Sequence, residues 1–324
     1  MQMQLRLVDN MWKCLNCGAI RTERPNFCSS CGLVQAGVGT LDKYSILEGY
    51  CHPLSLIMRN QNIAHYFIDA CAGSGMVQAY NDRGMLEGSP IIMSKTRQWV
   101  QDKIRDKSKP QEVNCKFIEI NPRTYALLEK STCNFSNCER ILGDCNQELP
   151  RILDKLDSEK LRPFTLIYVD PFGLGDPPIM METLRRVLER DYTELFIQLT
   201  IDGIIRVSGW LPYLKSGDTA KKSKAESYCK TLELFIGNDR IAEFCAEWEK
   251  WREGEKETMA LKYYISGLTK YYPHVEYVEI PVGSTKPVYY LVYTTRNPTG
   301  RKIMQNIITS ARRKGTESLE KWFN

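Results

Sequence analysis

The 324-residue sequence predicts an α/β fold: a mostly parallel sheet with helices on both faces, between a small cysteine-rich module and a helical C-terminal region. Three observations predict it. Short apolar runs alternate with amphipathic helical patterns from residue 42 to about residue 199. The first apolar run, residues 65–69, leads straight into a glycine loop, Asp69-Ala-Cys71-Ala-Gly73-Ser-Gly75. Two Cys-x-x-Cys pairs precede both. A composition of 43% hydrophobic and 26% charged residues is ordinary for a folded domain and argues against long disorder. No apolar run approaches the roughly 20 residues that span a bilayer. Met1-Gln-Met-Gln-Leu-Arg-Leu lacks the apolar stretch of a signal peptide, so a cytoplasmic protein without a membrane partner is expected.

The pairs are Cys14-x2-Cys17 and Cys28-x2-Cys31, separated by ten residues and each followed by a glycine, Gly18 or Gly32. Each turn presents two sulfurs to one ion, and the glycine permits the positive φ that follows. The expectation for residues 1–38 is a zinc ribbon with structural Zn²⁺, because four protein ligands leave no open position. Iron in a rubredoxin-like pair, or reduced or disulfide-bonded cysteines, are the alternatives. The other eight of the twelve cysteines are scattered, mostly in apolar stretches, and read as small buried hydrophobes. Residues 34–40 read as a linker.

Residues 42–60 carry Ile46, Leu47, Tyr50, Leu54, Ile57 and Met58 at helical spacing, with Asp42 as the cap. After the glycine loop, strands are expected at 116–120, 140–142, 164–169 and 194–199. Helices are expected at 122–130, opened by Pro122, and at 145–156 and 178–190. Residues 39–215 thus form the central domain. Residues 224–270 read as largely helical, followed by strands at 275–280 and 288–295 and a helix over about 298–314. Helices followed by a hairpin predict a winged-helix-like α+β domain over 216–324; alternatively, the hairpin completes an antiparallel edge of the main sheet.

In a doubly wound sheet the ligand sits at the carboxyl ends of the strands. Gly73 and Gly75 allow close backbone approach there, with Asp69 in register before them. Gln78 stands where a dinucleotide fingerprint has its third glycine, which disfavours NAD. The next strand ends in Glu119-Ile120, and its carboxylate suits two ribose hydroxyls. The one after ends in Gly143-Asp144-Cys145, where Asp144 suits an adenine amino group. S-adenosylmethionine is the expected cofactor. Its contact set is Asp69, Cys71, Gly73, Gly75, Glu119, Ile120, Asp144, Cys145 and Asp170. The competing reading makes Glu119 and Asp144 ordinary polar strand ends.

The fourth strand ends in Asp170-Pro171-Phe172-Gly173, where amino-group methyltransferases carry Asp/Asn-Pro-Pro-Tyr/Phe. An exocyclic amine is a poor nucleophile because its lone pair is delocalised into the ring. Hydrogen bonds to the Asp170 carboxylate and the Pro171 carbonyl would aim that lone pair at the sulfonium methyl, with Phe172 stacked on a flipped base. A strand ending in a Pro-Gly turn with a packed Phe is the plainer alternative.

Tyr44-Ser-Ile-Leu-Glu-Gly-Tyr50, the glycine loop, Glu87-Gly-Ser-Pro90, Phe117-Ile-Glu-Ile-Asn-Pro122, Gly143-Asp144, Asp170-Pro-Phe-Gly173, Tyr289-Tyr-Leu-Val-Tyr293 and Asn297-Pro-Thr-Gly300 together resemble the three-Cys-motif partner protein family. The resemblance covers about residues 40–310. It implies a Rossmann-like class I methyltransferase sheet and a companion cysteine-motif protein. It also implies pocket positions at Glu48, Glu87, Ser89 and Gly173; helix capping and loop turns are the plainer roles for the first three. Cys71 departs from the family, which usually has an aromatic residue there, and the ribbon lies outside the resemblance as an added substrate-binding module. The tetrapeptide at 170–173 is also similar to that of tRNA guanine-N2 dimethyltransferases.

The expected function is methyl transfer from S-adenosylmethionine to nucleic acid, to an exocyclic base amine of RNA, with tRNA favoured. A cofactor-binding partner module without catalysis is the alternative. A magnesium nuclease using Asp69, Glu119, Asp144 and Asp170 is a third class. The net charge of +5 permits a polyanionic partner. Basic residues cluster at Lys215, Lys221, Lys222 and Lys224, and at Arg301, Lys302, Arg312, Arg313 and Lys314. Asp202 and Arg206 follow the fifth strand toward the same rim. His52, His65 and His274 show no ligand spacing and read as structural.

Overall fold

The computed structural model describes residues 12–21, 27–36, 39–79, 84–104, 113–159, 162–171, 174, 178–282 and 286–323, and of residues 281–288 and 311–323 the backbone only. The chain divides into two compact units, Met1–Asp144 and Cys145–Asn324.

The first unit runs β1 (Trp12–Lys13), β2 (Ile20–Arg21), β3 (Val34–Gln35), α1 (Thr40–Asn60), β4 (His65–Asp69), β5 (Met76–Gln78), β6 (Met85–Glu87), α2 (Ser89–Lys103), β7 (Val113–Glu119), α3 (Pro122–Thr132) and β8 (Cys138–Leu142). Strands β4, β7 and β8 lie parallel, and Phe67, Ile68, Phe117 and Ile118 are fully buried in them. Helix α3 starts where expected. Pro122 occupies the first turn, and the Asn121 side chain accepts the Arg123 and Thr124 N–H groups at 2.9 and 3.3 Å.

Helix α1 begins two residues earlier than its sequence cap, behind Gly39 at φ +82°. Asp42 therefore lies in the first turn, where its charge faces the positive end of the helix dipole. Residues 34–40 are not simply a linker, because Val34 and Gln35 pair in parallel with β5. Strands β5 and β6, of three residues each, pair antiparallel and are too short for periodicity to reveal.

His65 is buried, and one ring nitrogen, Nε2, lies 2.9 Å from Ser55 Oγ. Burial pushes its pKa down to about 4. Its neutral form therefore supports the fold above the unfolded pKa of about 6.5. That support is lost as pH falls from 6.5 through 4, by about 3 kcal/mol in total. Urea unfolding between pH 7 and 4 checks this, and a His65→Asn variant is expected to flatten that part of the profile.

The second unit runs α4 (Cys145–Asp157), β9 (Phe164–Val169), α5 (Met181–Leu188), β10 (Thr193–Thr200), α6 (Ile201–Ser208), a 3₁₀ turn (Leu211–Lys215), α7 (Thr219–Ile236), α8 (Ile241–Trp248), α9 (Lys256–Leu268), β11 (His274–Val282), β12 (Lys286–Thr295) and α10 (Pro298–Phe323). Strand β10 is buried along its whole length, as a strand covered on both faces must be. It pairs in parallel with β9 and antiparallel with β12, from Leu195↔Thr294 to Thr200↔Tyr289.

That pairing corrects the winged-helix expectation. The hairpin β11–β12 is an edge of the main sheet, because β10 would otherwise leave a row of N–H and C=O groups unpaired. The sheet has seven strands in the order β11-β12-β10-β9-β4-β7-β8. Counted in chain order within the sheet, this is 6-7-5-4-1-2-3: a Rossmann-like sheet with its last strand inserted antiparallel beside the fifth. Among the described residues no helix is long and apolar enough to cross a membrane.

Candidate cofactor loop and metal centre

The glycine loop leaves β4 at Asp69, which is fully buried and whose Oδ1 accepts the Cys71 N–H at 3.1 Å. Gly73 and Gly75 take φ of +63° and +73°, the left-handed region. The Gly73 N–H donates to Glu119 Oε2 at 2.9 Å, and the Asn121 N–H donates to Glu119 Oε1 at 2.8 Å. Glu119 is 9% exposed. Desolvation raises its pKa, and the N–H groups of Asn121, Gly73 and Ile120 only partly offset that rise. A carboxylate offers about four lone-pair positions, so its two hydrogen bonds at 2.8 and 2.9 Å leave acceptor capacity unused.

Beside it, Ile120 is 58% exposed. Glu119 is in register with Leu142 on β8, and half-buried Asp144 follows two residues later. The first unit therefore brings together Asp69, Gly73, Gly75 and Glu119 by direct bonds or chain geometry, and Ile120 and Asp144 by register. Cys71 is half-buried in the turn, and its backbone N–H is the group that Asp69 holds.

Two further ties hold the loop. Ser131 Oγ donates to Ser74 O at 3.0 Å, and a Cβ on Gly75 would stand 2.1 Å from that same Oγ. The Gly88 N–H donates to Gly75 O at 2.7 Å, and a Cβ on Gly88 would also lie 2.7 Å from that oxygen. In the motif Glu87-Gly-Ser-Pro90 it is thus Gly88 that reaches the loop. Glu87 is ion-paired with Lys95, Ser89 is buried at the start of α2, and Glu48 is exposed on α1. The loop bond of Gly88 had no signal in sequence beyond its place between a strand and a helix. Gly75→Ala meets both a collision and an unfavourable φ. It is expected to lower stability by about 2–4 kcal/mol, read from the urea midpoint.

The four cysteine sulfurs of the ribbon converge within 4.8 Å of one another. Cys14–Cys31 and Cys17–Cys28 are each 3.7 Å apart. Zinc held at about 2.3 Å by four thiolates in a tetrahedron sets sulfurs about 3.8 Å apart, so the set fits a closed tetrahedral ion. Gly18 and Gly32 have φ of +75° and +81°, as the spacing required. Burial pushes the Cys14 thiol up to about 12. At Cys28 burial is outweighed by N–H groups of Cys31 and Ser30 and by the Cys14 and Cys17 thiols, and its pKa falls to about 7.

In the second unit Asp170 follows β9 and is half-buried. Tyr168, fully buried and two residues earlier on the same face of the strand, donates its hydroxyl to Asp170 Oδ2 at 3.1 Å. Tyr289, at the start of the part of β12 that pairs with β10, is half-buried. Its pKa is raised by burial and then by the charges of Asp170 and Asp202. Sequence reasoning gave neither tyrosine a role; an aromatic at i−2 to the acid was the available signal for Tyr168. Pro171 is half-buried, Asp202 and Arg206 are exposed on α6, and Cys145 is the half-buried first residue of α4. Phe172 and Gly173 lie outside the described residues. His52 stacks on Trp99 at 4.0 Å, and His274 opens β11.

No family model and no curated protein matches the chain. Among solved structures, a protein from Legionella pneumophila str. Philadelphia 1, of family model DUF519, aligns over 85% of this chain and 91% of its own, at 10% identity and a TM-score of 0.46. Human methyltransferase-like protein 13 in complex with SAH aligns over 83% and 92%, at 11% identity and a TM-score of 0.36. Precorrin-6y C5,15-methyltransferase from Geobacter metallireducens GS-15 aligns over 76% and 87%, at 11% identity and a TM-score of 0.33. The fold assignment rests on the strand order described above rather than on these alignments.

Proposed function

We propose that the chain is an S-adenosylmethionine-dependent methyltransferase acting on nucleic acid, on an exocyclic base amine of RNA, with tRNA the favoured class. The observation that carries the cofactor reading is the buried Glu119 carboxylate bonded to the Gly73 N–H of the first loop. Its remaining acceptor positions suit a ribose diol, Ile120 offers an apolar surface for an adenine ring, and Asp144 offers an acceptor for its amino group. The sulfonium methyl is the electrophile that this cofactor supplies when bound. The protein's part is to hold the amine: Asp170, oriented by Tyr168, accepts from its N–H and orients its lone pair for attack. Zinc at Cys14, Cys17, Cys28 and Cys31 is structural.

Support for a polyanionic substrate comes from the surface of α7. Lys224 Nζ lies 4.3 Å from the Trp210 ring centre and 5.8 Å from that of Tyr228, and Lys221 lies 5.7 Å from that of Tyr213. Tyr213 is 41% exposed. Asp218 caps α7, its carboxylate accepting the Ala220 and Lys221 N–H groups at 3.0 and 3.2 Å, and Lys221, Lys222 and Lys224 follow on the first turns. Lysines interleaved with aromatic rings suit a single-stranded backbone with stacked bases. Lys215 and Lys221 have acidic neighbours, Glu249 and Asp218, at 3.5 and 3.9 Å. Of the C-terminal basic cluster, Arg301 is paired with Glu276, and the side chains of Arg312, Arg313 and Lys314 lie outside the described residues.

Calorimetry with S-adenosylmethionine and labelled methyl transfer to total tRNA and to genomic DNA test the proposal. Binding with transfer to RNA is expected. Binding without transfer to any nucleic acid supports a partner module, and magnesium-dependent cleavage that ignores S-adenosylmethionine supports a nuclease. Lys222→Ala/Lys224→Ala is expected to weaken RNA binding about tenfold and to lower its salt slope by about 2, measured by fluorescence anisotropy from 50 to 200 mM salt.

A further inference from the structure

We propose that the four-cysteine ribbon braces the glycine loop: metal at Cys14, Cys17, Cys28 and Cys31 holds residues 73–78 in ligand-binding geometry, with Gln78 as the positioning residue. This rests on the cofactor reading above and goes beyond it, since the ribbon then serves the cofactor side of the site as well as, or instead of, the substrate.

Gln78 is fully buried three residues beyond Gly75. Both ends of its amide grip the first cysteine turn: Oε1 accepts the Leu15 N–H at 2.9 Å, and Nε2 donates to Lys13 O at 2.8 Å. Its own backbone carbonyl accepts the Ala36 N–H at 2.8 Å. One residue therefore ties the loop's exit strand to the ribbon's entry and to its departure. The position that a dinucleotide fingerprint gives to glycine is here filled by this tie.

The second cysteine turn seats on α3. Thr124 Oγ1 donates to Gly32 O at 3.0 Å, Arg123 donates to Ser29 O, and a Cβ on Gly32 would lie 2.5 Å from Thr124 N. From there β3 reaches the loop itself. The Val34 N–H donates to Ser74 Oγ at 3.1 Å, and a Cβ on Gly73 would lie 3.3 Å from Val34 Cγ2.

The metal is what orders this chain of contacts. Strands β1 and β2 have two residues each, and the ribbon's buried cluster is Trp12, Cys14, Cys28 and Leu33. Half of that cluster is metal-ligating cysteine. So small a core supplies too little apolar burial to order the ribbon alone, and metal binding supplies the difference.

The full chain, its zinc content measured, is compared before and after chelation by amide hydrogen exchange and by calorimetry with S-adenosylhomocysteine. Zinc removal is expected to speed exchange of the 73–79 amides tenfold or more, to leave those of β9 and β10 unchanged, and to be reversed by added zinc. Gln78→Leu is expected to keep one zinc per chain yet show the same local rise and bind S-adenosylhomocysteine at least tenfold more weakly. Gln78→Glu, which keeps the acceptor for Leu15 N–H, is expected to recover part of both. Exchange at 73–79 that ignores zinc removal overturns the proposal, as does a chain that takes up no metal. A Gln78→Leu variant with zinc, wild-type exchange and wild-type affinity overturns it equally. If Gln78→Leu does not fold, the zinc-removal comparison decides alone. If the zinc-loaded wild type binds no S-adenosylhomocysteine, the cofactor reading fails, and the exchange comparison still decides the brace.

Discussion

Glu119→Ala is expected to weaken S-adenosylmethionine binding about 100-fold or more, measured by calorimetry. The carboxylate holds the Gly73 and Asn121 N–H groups, and its removal leaves both donors buried without it. A hydrogen bond to a charged group contributes about 1.5–3 kcal/mol, and each factor of ten in affinity is about 1.4 kcal/mol. Losing the ribose contact together with the loop's geometry therefore exceeds two decades.

The pH dependence carries an independent sign. Burial raises the Glu119 pKa, so protonation stabilises the ligand-free fold in acid, and that contribution is lost as pH rises through the raised value. The ribose hydroxyls need the ionised form as acceptor. Affinity is therefore expected to fall as pH drops through that raised pKa, at a pH above the ordinary glutamate range, and Glu119→Gln to remove the dependence. An affinity flat from pH 7 to 4.5 in the wild type would count against the assignment.

Asp170→Ala is expected to cut methyl transfer about 10³-fold while changing cofactor affinity several-fold at most. Orienting a delocalised lone pair is a requirement of the transition state, so the loss falls on kcat rather than on ground-state binding. Tyr168→Phe removes only the hydroxyl that orients Asp170, and a smaller loss of about tenfold in kcat is expected. Equal losses in the two variants would mean that Tyr168 does more than orient the acid. Single-turnover kinetics with labelled cofactor separates these outcomes.

The sheet was legible because its inner strands are buried runs bounded by turn residues, as at residues 65–69 and 164–169. The cysteine cluster was legible because ligand spacing is a local property of two turns. The hairpin β11–β12 was ambiguous, because two strand-like runs joined by a turn do not state which strand they pair with. Strands β3, β5 and β6, of two or three residues, gave no period at all.

The sequence by itself determined where residue types with a structural requirement stand: the glycines at 73 and 75, the acids at strand ends, and four thiols at knuckle spacing. Backbone strain and metal valence are requirements on residue type, so they appear wherever the type appears. Tertiary structure alone decided what those residues are attached to. Gln78 reads as a missing glycine in sequence and proves to be the tie between loop and ribbon, because a buried amide must find both a donor and an acceptor. Gly88, unremarked beside Glu87 and Ser89, proves to close the loop, because only a residue without Cβ can lie on the Gly75 carbonyl. Contacts of this kind join residues more than ten positions apart, and no local pattern records them.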